Sequence, residues 1–442
     1  MAGDGMSTHL RVGVAGLGTV GASVLRLLER QAVDLANRTG RTIRVAGVCA
    51  LDKSRDRGVD FAGARWFDDP VDLAGWDGID VFVELIGGAE GKAKAAVEAA
   101  LRARKPVVTA NKALLAEHGM ALAALAEEKH VALAFEASVA GGIPVVKTLR
   151  EGLAGNQIVR VYGILNGTCN YILSRMELEE LSFEECLADA QKLGYAEADP
   201  TFDIGGFDTA HKLAILSALA FGAAVDPGAI HVEGIQAITL ADLKAADELG
   251  YRIKLLGVAQ RTPLGIEQRV HPTMVPKSSA IARVMGVTNA VAIDADAVKE
   301  LTLVGPGAGG EATASAVVAD IADIARGVRS APFGLPVAAL GKSARLPMQR
   351  HEGGYFIRLS VENRPGAFAS IAKRMAERNI SLESIMQHRT GGGPVASGDG
   401  EPMPVKLITY ATTETKIREA LDDVVRDGFI SHAPQVIRIE RE

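Results

Sequence analysis

The run His9 to Ala15, HLRVGVA, alternates and then becomes continuously apolar, and GLGTVG follows it at once, with the amphipathic ASVLRLLERQAVDLA behind. A strand, a G-x-G-x-x-G turn and a helix in that order admit few architectures; they open a parallel sheet flanked by helices. Gly16 allows the tight turn, Gly18 lets the backbone approach a pyrophosphate, and Gly21 lets helix pack closely on strand. Thr19 and Val20 lie between them, at a helix N-terminus whose free N–H groups suit an anion.

The pattern continues. Ile43 to Leu51 reads as a second strand with Asp52 at its end, where an acidic residue binds a ribose 2′-OH; Lys53, Arg55 and Arg57 follow and suit a 2′-phosphate instead. These cues conflict, and the choice between NAD and NADP stays open. A third strand spans Asp80 to Gly88, and PVVTANKALLAEHG reads as strand, turn and helix. Ligands of such sheets bind beyond the carboxyl ends of the strands, which selects Gly87, Thr109, Asn111 and Lys112. Lys112 is a candidate catalytic lysine; its bland alternative is a polar residue in the first turn of an exposed helix.

Composition bounds the remaining classes. With 442 residues the chain has room for two to four domains, and its net charge of −6 is spread along the chain, so it lacks the basic footprint of a nucleic-acid binder. Cys49, Cys169 and Cys186 are odd in number and far apart, which suggests neither a disulfide framework nor a thiolate zinc site but reduced, cytoplasmic thiols. MAGDGMSTHL has no apolar core of a signal peptide, and no apolar run reaches membrane-spanning length.

From about Gly152 the texture changes. IVRVYGILNGTCNYILSRM reads as strand, turn and helix, and AQKLGYAEADPTFDIGGFDTAHK, Ala190 to Lys212, gathers five carboxylates and two lysines among helix-breaking Gly194, Pro200, Gly205 and Gly206. A helix begins near Phe207 and is almost wholly apolar after Lys212; Asp208 and Lys212 share one face of it, either as a surface pair or held in a cleft. Later strands fall around Glu267–Val270 and Asn289–Ile293, with HPTMVPKSS in the loop between. At Leu301 a strand end, a glycine turn and an alanine-rich helix turn back to close the first domain, with Glu311 either a first-turn acid or a cleft residue. After a linker, the end of the chain reads β-α-β-β-α-β, which is ferredoxin-like, with GGGPVASGDGEPMP as an unstructured loop.

The Ala190–Lys212 stretch, TANK, FEASVAGGIP, ILNGTCNYI, HPTMVPK and GPGAGGEATASAV together resemble the homoserine dehydrogenase family, and ENRPGAFASIA resembles an ACT domain. The resemblance implies an α/β chain of three parts. These are a Rossmann domain at 8–135 completed by 301–328, a catalytic and dimerisation domain with a mixed sheet at 136–300, and, after a linker at 329–352, an ACT domain at 353–442. It implies NAD(P)H reduction of L-aspartate-4-semialdehyde to L-homoserine by a homodimer or homotetramer, on the path to threonine, methionine and isoleucine. Lys212 and Lys112 are similar to the family's cleft lysines, each expected to lower the other's pKa, with Lys212 the proton donor and Asp208 orienting it. Glu197, Asp203 and Asp208 match the positions that meet the substrate ammonium, with Gly167, Thr168 and Tyr195 completing the pocket; Gly307 joins the coenzyme set. The Glu136 side chain and the carbonyls of Val139, Gly141 and Ile143 look like a structural site for a monovalent cation such as Na+. Threonine is the implied effector, on Asn363, Gly366 and Ala367, with Asn379 and Ile380 from a facing domain; Asn363 departs from the usual Asp. Leu51 departs from the arginine of many NADP-using relatives. The rivals are a phosphorylating semialdehyde dehydrogenase, which needs an activated cysteine such as Cys169, and a non-catalytic amino-acid sensor, which the intact glycine turn and lysines disfavour.

Overall fold

The structure, a computed structural model, describes residues 8–61, 63–342, 352–387 and 402–440. Strands β1 (His9–Ala15), β2 (Thr42–Cys49), β3 (Arg65–Phe67), β4 (Val81–Glu84), β5 (Val107–Thr109) and β6 (Leu133–Ala134) form a parallel sheet in the order β3-β2-β1-β4-β5-β6. Val12, Val14, Val83 and Val108 are wholly buried, as strands covered on both faces require. Strand order reverses between β1 and β4, so a crevice opens between the turns that follow them. Gly16 adopts φ +97°, and a Cβ there would lie 2.3 Å from the Leu85 carbonyl oxygen; one on Gly21 would lie 2.0 Å from that of Gly16. The turn therefore tolerates no side chain at either position.

The rest of the chain builds one mixed sheet. Its inner strands are β7 (Ile158–Ile164), β8 (His231–Val232), β9 (Tyr251–Thr262), β10 (Gly265–Pro276), β11 (Thr288–Ala295) and β12 (Lys299–Pro306). The C-terminal unit adds β13 (Glu352–Val361), β14 (Leu382–Gln387), β15 (Met403–Thr409), β16 (Thr412–Thr413) and β17 (Gln435–Ile439). The order β12-β11-β7-β9-β10-β17-β13-β15-β14 joins both, with β8 on β10 and β16 on β13. The seam is parallel, Thr273 opposite Arg438 and Met274 opposite Ile439. Helices Ala367–Glu377 and Glu414–Arg426 complete the ferredoxin-like unit, whose own core includes Tyr355, Ile371, Leu407 and Ile417.

Three expectations need correction. HPTMVP is not loop: it is the second half of β10, paired antiparallel with β9 throughout, and β9 itself went unread. Pro272 hides the strand pattern, yet Val270 to Val275 are buried and ladder pairing prevails. Leu301 to Pro306 belong to β12 of the second sheet, so the return to the first domain starts with helix Gly310–Ala325, which packs on helix Thr19–Arg30. The first half of the linker is anchored: Phe333 is buried with its ring 5.2 Å from that of Phe135. Linker residues 343–351, the 391–401 part of the glycine-rich loop and residues 1–7 of the N-terminal stretch lie outside the described residues.

Candidate active site

Three helix N-termini meet at the edge of the crevice. Asn111 caps helix Lys112–Lys129, its Oδ1 accepting from the Leu114 amide at 3.0 Å. Asn166 caps helix Gly167–Glu179 through the Cys169 amide at 2.8 Å. Gly206, at φ +86°, turns the chain into helix Phe207–Phe221 and leaves Asp208 in its first turn. Helix N-termini carry partial positive charge, so this corner favours carboxylates.

Asp208, 3% exposed, joins the three. Its Oδ1 lies 2.8 Å from Lys112 Nζ, and its Oδ2 accepts from Lys212 Nζ at 2.7 Å and Asn166 Nδ2 at 2.9 Å. Lys212 Nζ also donates to the Leu165 carbonyl at 2.6 Å. The i,i+4 pair is thus buried, not a surface pair. Burial pushes the Asp208 carboxyl up, but Lys212 and Lys112 outweigh it and hold it well below the aspartate range. Burial lowers Lys212, and Lys112 adds to this against Asp208. Lys112 does not follow the expectation of mutual lowering: despite its own desolvation it is raised, because Asp208, Asp203 and Glu197 all face it.

Asp203 accepts from the other side of Asn166 Nδ2 at 2.9 Å, and burial beside Asp208 raises it. Glu197 is exposed, on the loop whose carbonyl accepts from Gln191. Thr168 donates to the Tyr195 carbonyl at 2.7 Å, and the Tyr195 ring meets Tyr171 edge-on. Gly167 has no room for a side chain: a Cβ would stand 2.7 Å from the Val287 carbonyl oxygen. Cys169 is buried, its thiol donating to the Asp203 carbonyl and pushed well above the usual range by desolvation, which is the opposite of an activated nucleophile.

On the crevice's other wall, Gly18 has nothing within 4 Å of its Cβ direction, beside Thr19 and Val20 at the helix start. Thr109 Oγ1 donates to Glu84 at 2.5 Å, Gly87 N donates to the other Glu84 oxygen at 3.0 Å, and Asn111 Nδ2 donates to Gly88 O at 2.7 Å. Gly307 packs on the Asn289 side chain and next to Gly141. At the end of β2, Asp52 is turned onto Ser54, accepting from its amide and hydroxyl at 2.8 and 2.6 Å. Lys53 lies over the Trp66 ring, Leu51 is wholly exposed, and Arg57 ties the loop to the Leu17, Arg55 and Asp52 carbonyls. A cleft of about 250 Å³ there is bordered by Gly18, Thr19, Arg26, Arg55 and Arg57. Glu311 is a first-turn acid paired with Arg30 at 2.8 Å. Glu84 and Asn166, which shape both walls, were missed by sequence reasoning; the signal for Asn166 was its place immediately before a helix start.

Glu136 is buried and accepts from the Val146 and Lys147 amides at 2.9 and 2.8 Å. Desolvation, then Asp320, push it up to about 7. Val139 and Ile143 are buried beside it in sequence, and Gly141 has φ +42°. Among the described residues no cluster of three or more His, Cys, Asp or Glu could hold a metal ion. The set expected there, one carboxylate and three backbone carbonyls, offers oxygen alone, a chemistry for a hard ion rather than for a thiolate-seeking metal.

Family models match three stretches: a homoserine dehydrogenase NAD-binding domain over residues 16–136, homoserine dehydrogenase over 144–322, and an ACT domain over 355–403. A Pseudomonas aeruginosa homoserine dehydrogenase is 45% identical over 438 residues, 98% of this chain and 99% of that one. The chain belongs to the homoserine dehydrogenase family. A Neisseria gonorrhoeae homoserine dehydrogenase is 43% identical over 98% of either chain. The crystal structure of a homoserine dehydrogenase from Thiobacillus denitrificans superimposes with a TM-score of 0.91 at 41% identity, covering 98% of both chains. The chain is therefore an NAD(P)-dependent oxidoreductase, with a dinucleotide-binding domain at its N-terminus and an ACT domain at its C-terminus. Among the described residues no helix is long and apolar enough to cross a membrane.

Proposed function

We propose that this homoserine dehydrogenase interconverts L-aspartate-4-semialdehyde and L-homoserine with NADPH or NADH, in threonine, methionine and isoleucine biosynthesis. The observation that carries the reading is the buried Asp208 held between Lys112 and Lys212 at the rim of the dinucleotide crevice. The bound coenzyme supplies a hydride. Gly16, Gly18, Thr19, Val20 and Gly21 would hold its pyrophosphate, Asp52 and Lys53 its ribose, and Gly87, Thr109, Asn111, Lys112 and Gly307 its nicotinamide half; the open space above Gly18 fits that placement.

The remaining work falls to side chains. Glu197, Asp203 and Asp208 receive the substrate ammonium, with Gly167, Thr168 and Tyr195 shaping the pocket. Lys212, whose pKa is lowered, donates the proton as the alkoxide develops. Lys112, whose pKa is raised, remains an ammonium and stabilises the developing charge. Asp208 orients both. A monovalent cation on Glu136, Val139, Gly141 and Ile143 stiffens the hinge between domains. Threonine binds at the ACT turn of Asn363, Gly366 and Ala367, where Gly366 adopts positive φ, with Asn379 and Ile380 supplied by a facing ACT domain, in a homodimer or homotetramer in the cytoplasm.

The test is NAD(P)H oxidation with L-aspartate semialdehyde, with and without threonine. Turnover inhibited by threonine supports substrate and effector together. Turnover indifferent to threonine keeps the substrate and removes the effector, and no turnover with either coenzyme overturns the reading.

A further inference from the structure

The seam between the ACT unit and the catalytic domain is fastened at a point adjoining the candidate site. Arg438 of β17 is 2% exposed and makes bidentate bonds with two acids. It meets Glu414 at 2.8 and 2.6 Å within the ACT unit, and Glu233 of the catalytic domain at 2.7 and 3.0 Å. Planar guanidinium with carboxylate is the geometry that fixes orientation as well as charge. Glu233 is further bonded by His231 Nε2 at 2.8 Å, and its amide donates to Val270 O on β10 at 2.8 Å.

The next two residues press on the turn that carries Asp203. The Ile235 amide donates to Ile204 O at 2.9 Å. A Cβ on Gly234 would stand 2.3 Å from that same oxygen and 2.8 Å from the Gly205 Cα, so strap and turn touch backbone to backbone. Asp203 precedes Ile204 and shares Asn166 with Asp208. Arg418 of the ACT unit lies 3.6 Å from Glu233, and Glu440 holds Arg269 and, at 3.3 Å, Arg160. Two further tethers run elsewhere. Arg358 holds Asp242 at 2.6 and 3.1 Å and Lys406 holds Glu248 at 2.7 Å, both on helix Leu240–Glu248.

We propose that Glu233 is a positioning residue: clamped by Arg438, it seats strap 232–235 against turn 201–206 and so sets Asp203 for the substrate ammonium. The ACT unit thereby acts on substrate binding through Glu233, which Arg438 holds bidentately. This rests on the semialdehyde reading above.

The experiment uses the full chain as Glu233→Gln, Arg438→Met, Arg358→Met and Lys406→Met. It measures KM for L-aspartate semialdehyde, kcat, NADPH affinity by fluorescence, and melting temperature. Glu233→Gln keeps side-chain size and removes the charge, so it remains informative where Arg438→Met fails to fold. KM is expected to rise about tenfold in Glu233→Gln and Arg438→Met, the size of coupling that such networks carry, with kcat and NADPH affinity within about twofold. Arg358→Met and Lys406→Met leave KM within about twofold, although they loosen the same domain. An active wild type whose KM is unchanged in Glu233→Gln, or raised equally by the two control substitutions, overturns this inference alone. A wild type without turnover overturns the substrate reading, and this inference with it.

Discussion

Two lysines of the catalytic domain are buried in similar ways and differ in the charge of one partner. Lys212 Nζ donates to Leu165 O at 2.6 Å and Lys254 Nζ to Val284 O at 2.6 Å. The second partner of Lys212 is the Asp208 carboxylate at 2.7 Å; that of Lys254 is the neutral Asn170 Oδ1 at 2.8 Å. Burial, then Arg252, lower Lys254 to about 7. Yet Lys254 is 1% exposed among Asn170, Val284 and Met285, away from the crevice, whereas Lys212 adjoins Lys112, which reaches solvent. A depressed pKa marks desolvation; it marks chemistry only where an opposite charge and an open path accompany it.

The sharpest way to break that distinction is Lys212→Ala beside Lys254→Met. The first is expected to lower kcat by about two to four orders of magnitude, the range of general acid catalysis, and the second to leave it within about twofold. Steady-state NADPH oxidation decides. Equal losses would erase the comparison, and turnover surviving in Lys212→Ala would move the proton donor to Lys112 or water. Next in size is Asp208→Asn, which strands both ammonium groups. Removing one member of a buried pair costs about 3 kcal/mol or more, read as a lower denaturant midpoint at pH 7. Asp208 is held below its ordinary value, so the wild-type advantage persists above the ordinary aspartate value of 3.8 and is lost as pH falls beneath it.

What the sequence disclosed follows from how local each constraint is. The glycine turn was legible because Gly16 and Gly21 meet backbone that any side chain would strike. Asp208 with Lys212 was legible as one helical face. That Lys112 reaches the same carboxylate was not, since no spacing rule links two domains. For the same reason the opposed shifts of the two lysines escaped: Glu197 and Asp203 act on Lys112 through space. The ferredoxin-like unit was legible from alternating strands and helices. Its merger with the catalytic sheet was not, because β17 and β10 meet only in three dimensions and Pro272 disguised β10. Glu84 falls inside a stretch whose pattern says only strand, although its carboxylate ties the Gly87 turn to Thr109.

A smaller effect tests the structural side of the comparison. Burial pushes Lys254 down to about 7 in the fold, against an ordinary value of 10.5 when exposed. Between those values the unfolded chain binds the extra proton, so stability rises with pH, by up to about 1.4 kcal/mol per unit, and the penalty is complete below pH 7. Lys254→Met removes the titrating group. Denaturation at pH 7 and 9 should therefore show the wild type gaining on the variant as pH rises. A constant difference between the two would mean that Lys254 keeps its proton in the fold.

The smallest effect concerns a buried acid with the mirror-image problem. Glu136 is pushed up to about 7 although the Val146 and Lys147 amides bond it. Its folded value lies above its ordinary value of 4.5, so it binds the extra proton when folded, and this contribution to stability falls as pH rises from 4.5 to 7. A cation against Glu136 and the carbonyls of Val139, Gly141 and Ile143 would supply the charge that Asp208 gets from its lysines, holding the carboxylate ionised. Sodium at about ten times its dissociation constant would then stabilise the chain by about 1.4 kcal/mol relative to choline at equal ionic strength, at pH 8. Glu136→Gln should abolish the difference while leaving the melting curve cooperative. Equal melting of the wild type in both salts would leave Glu136 as a helix-capping acid and the hinge without an ion.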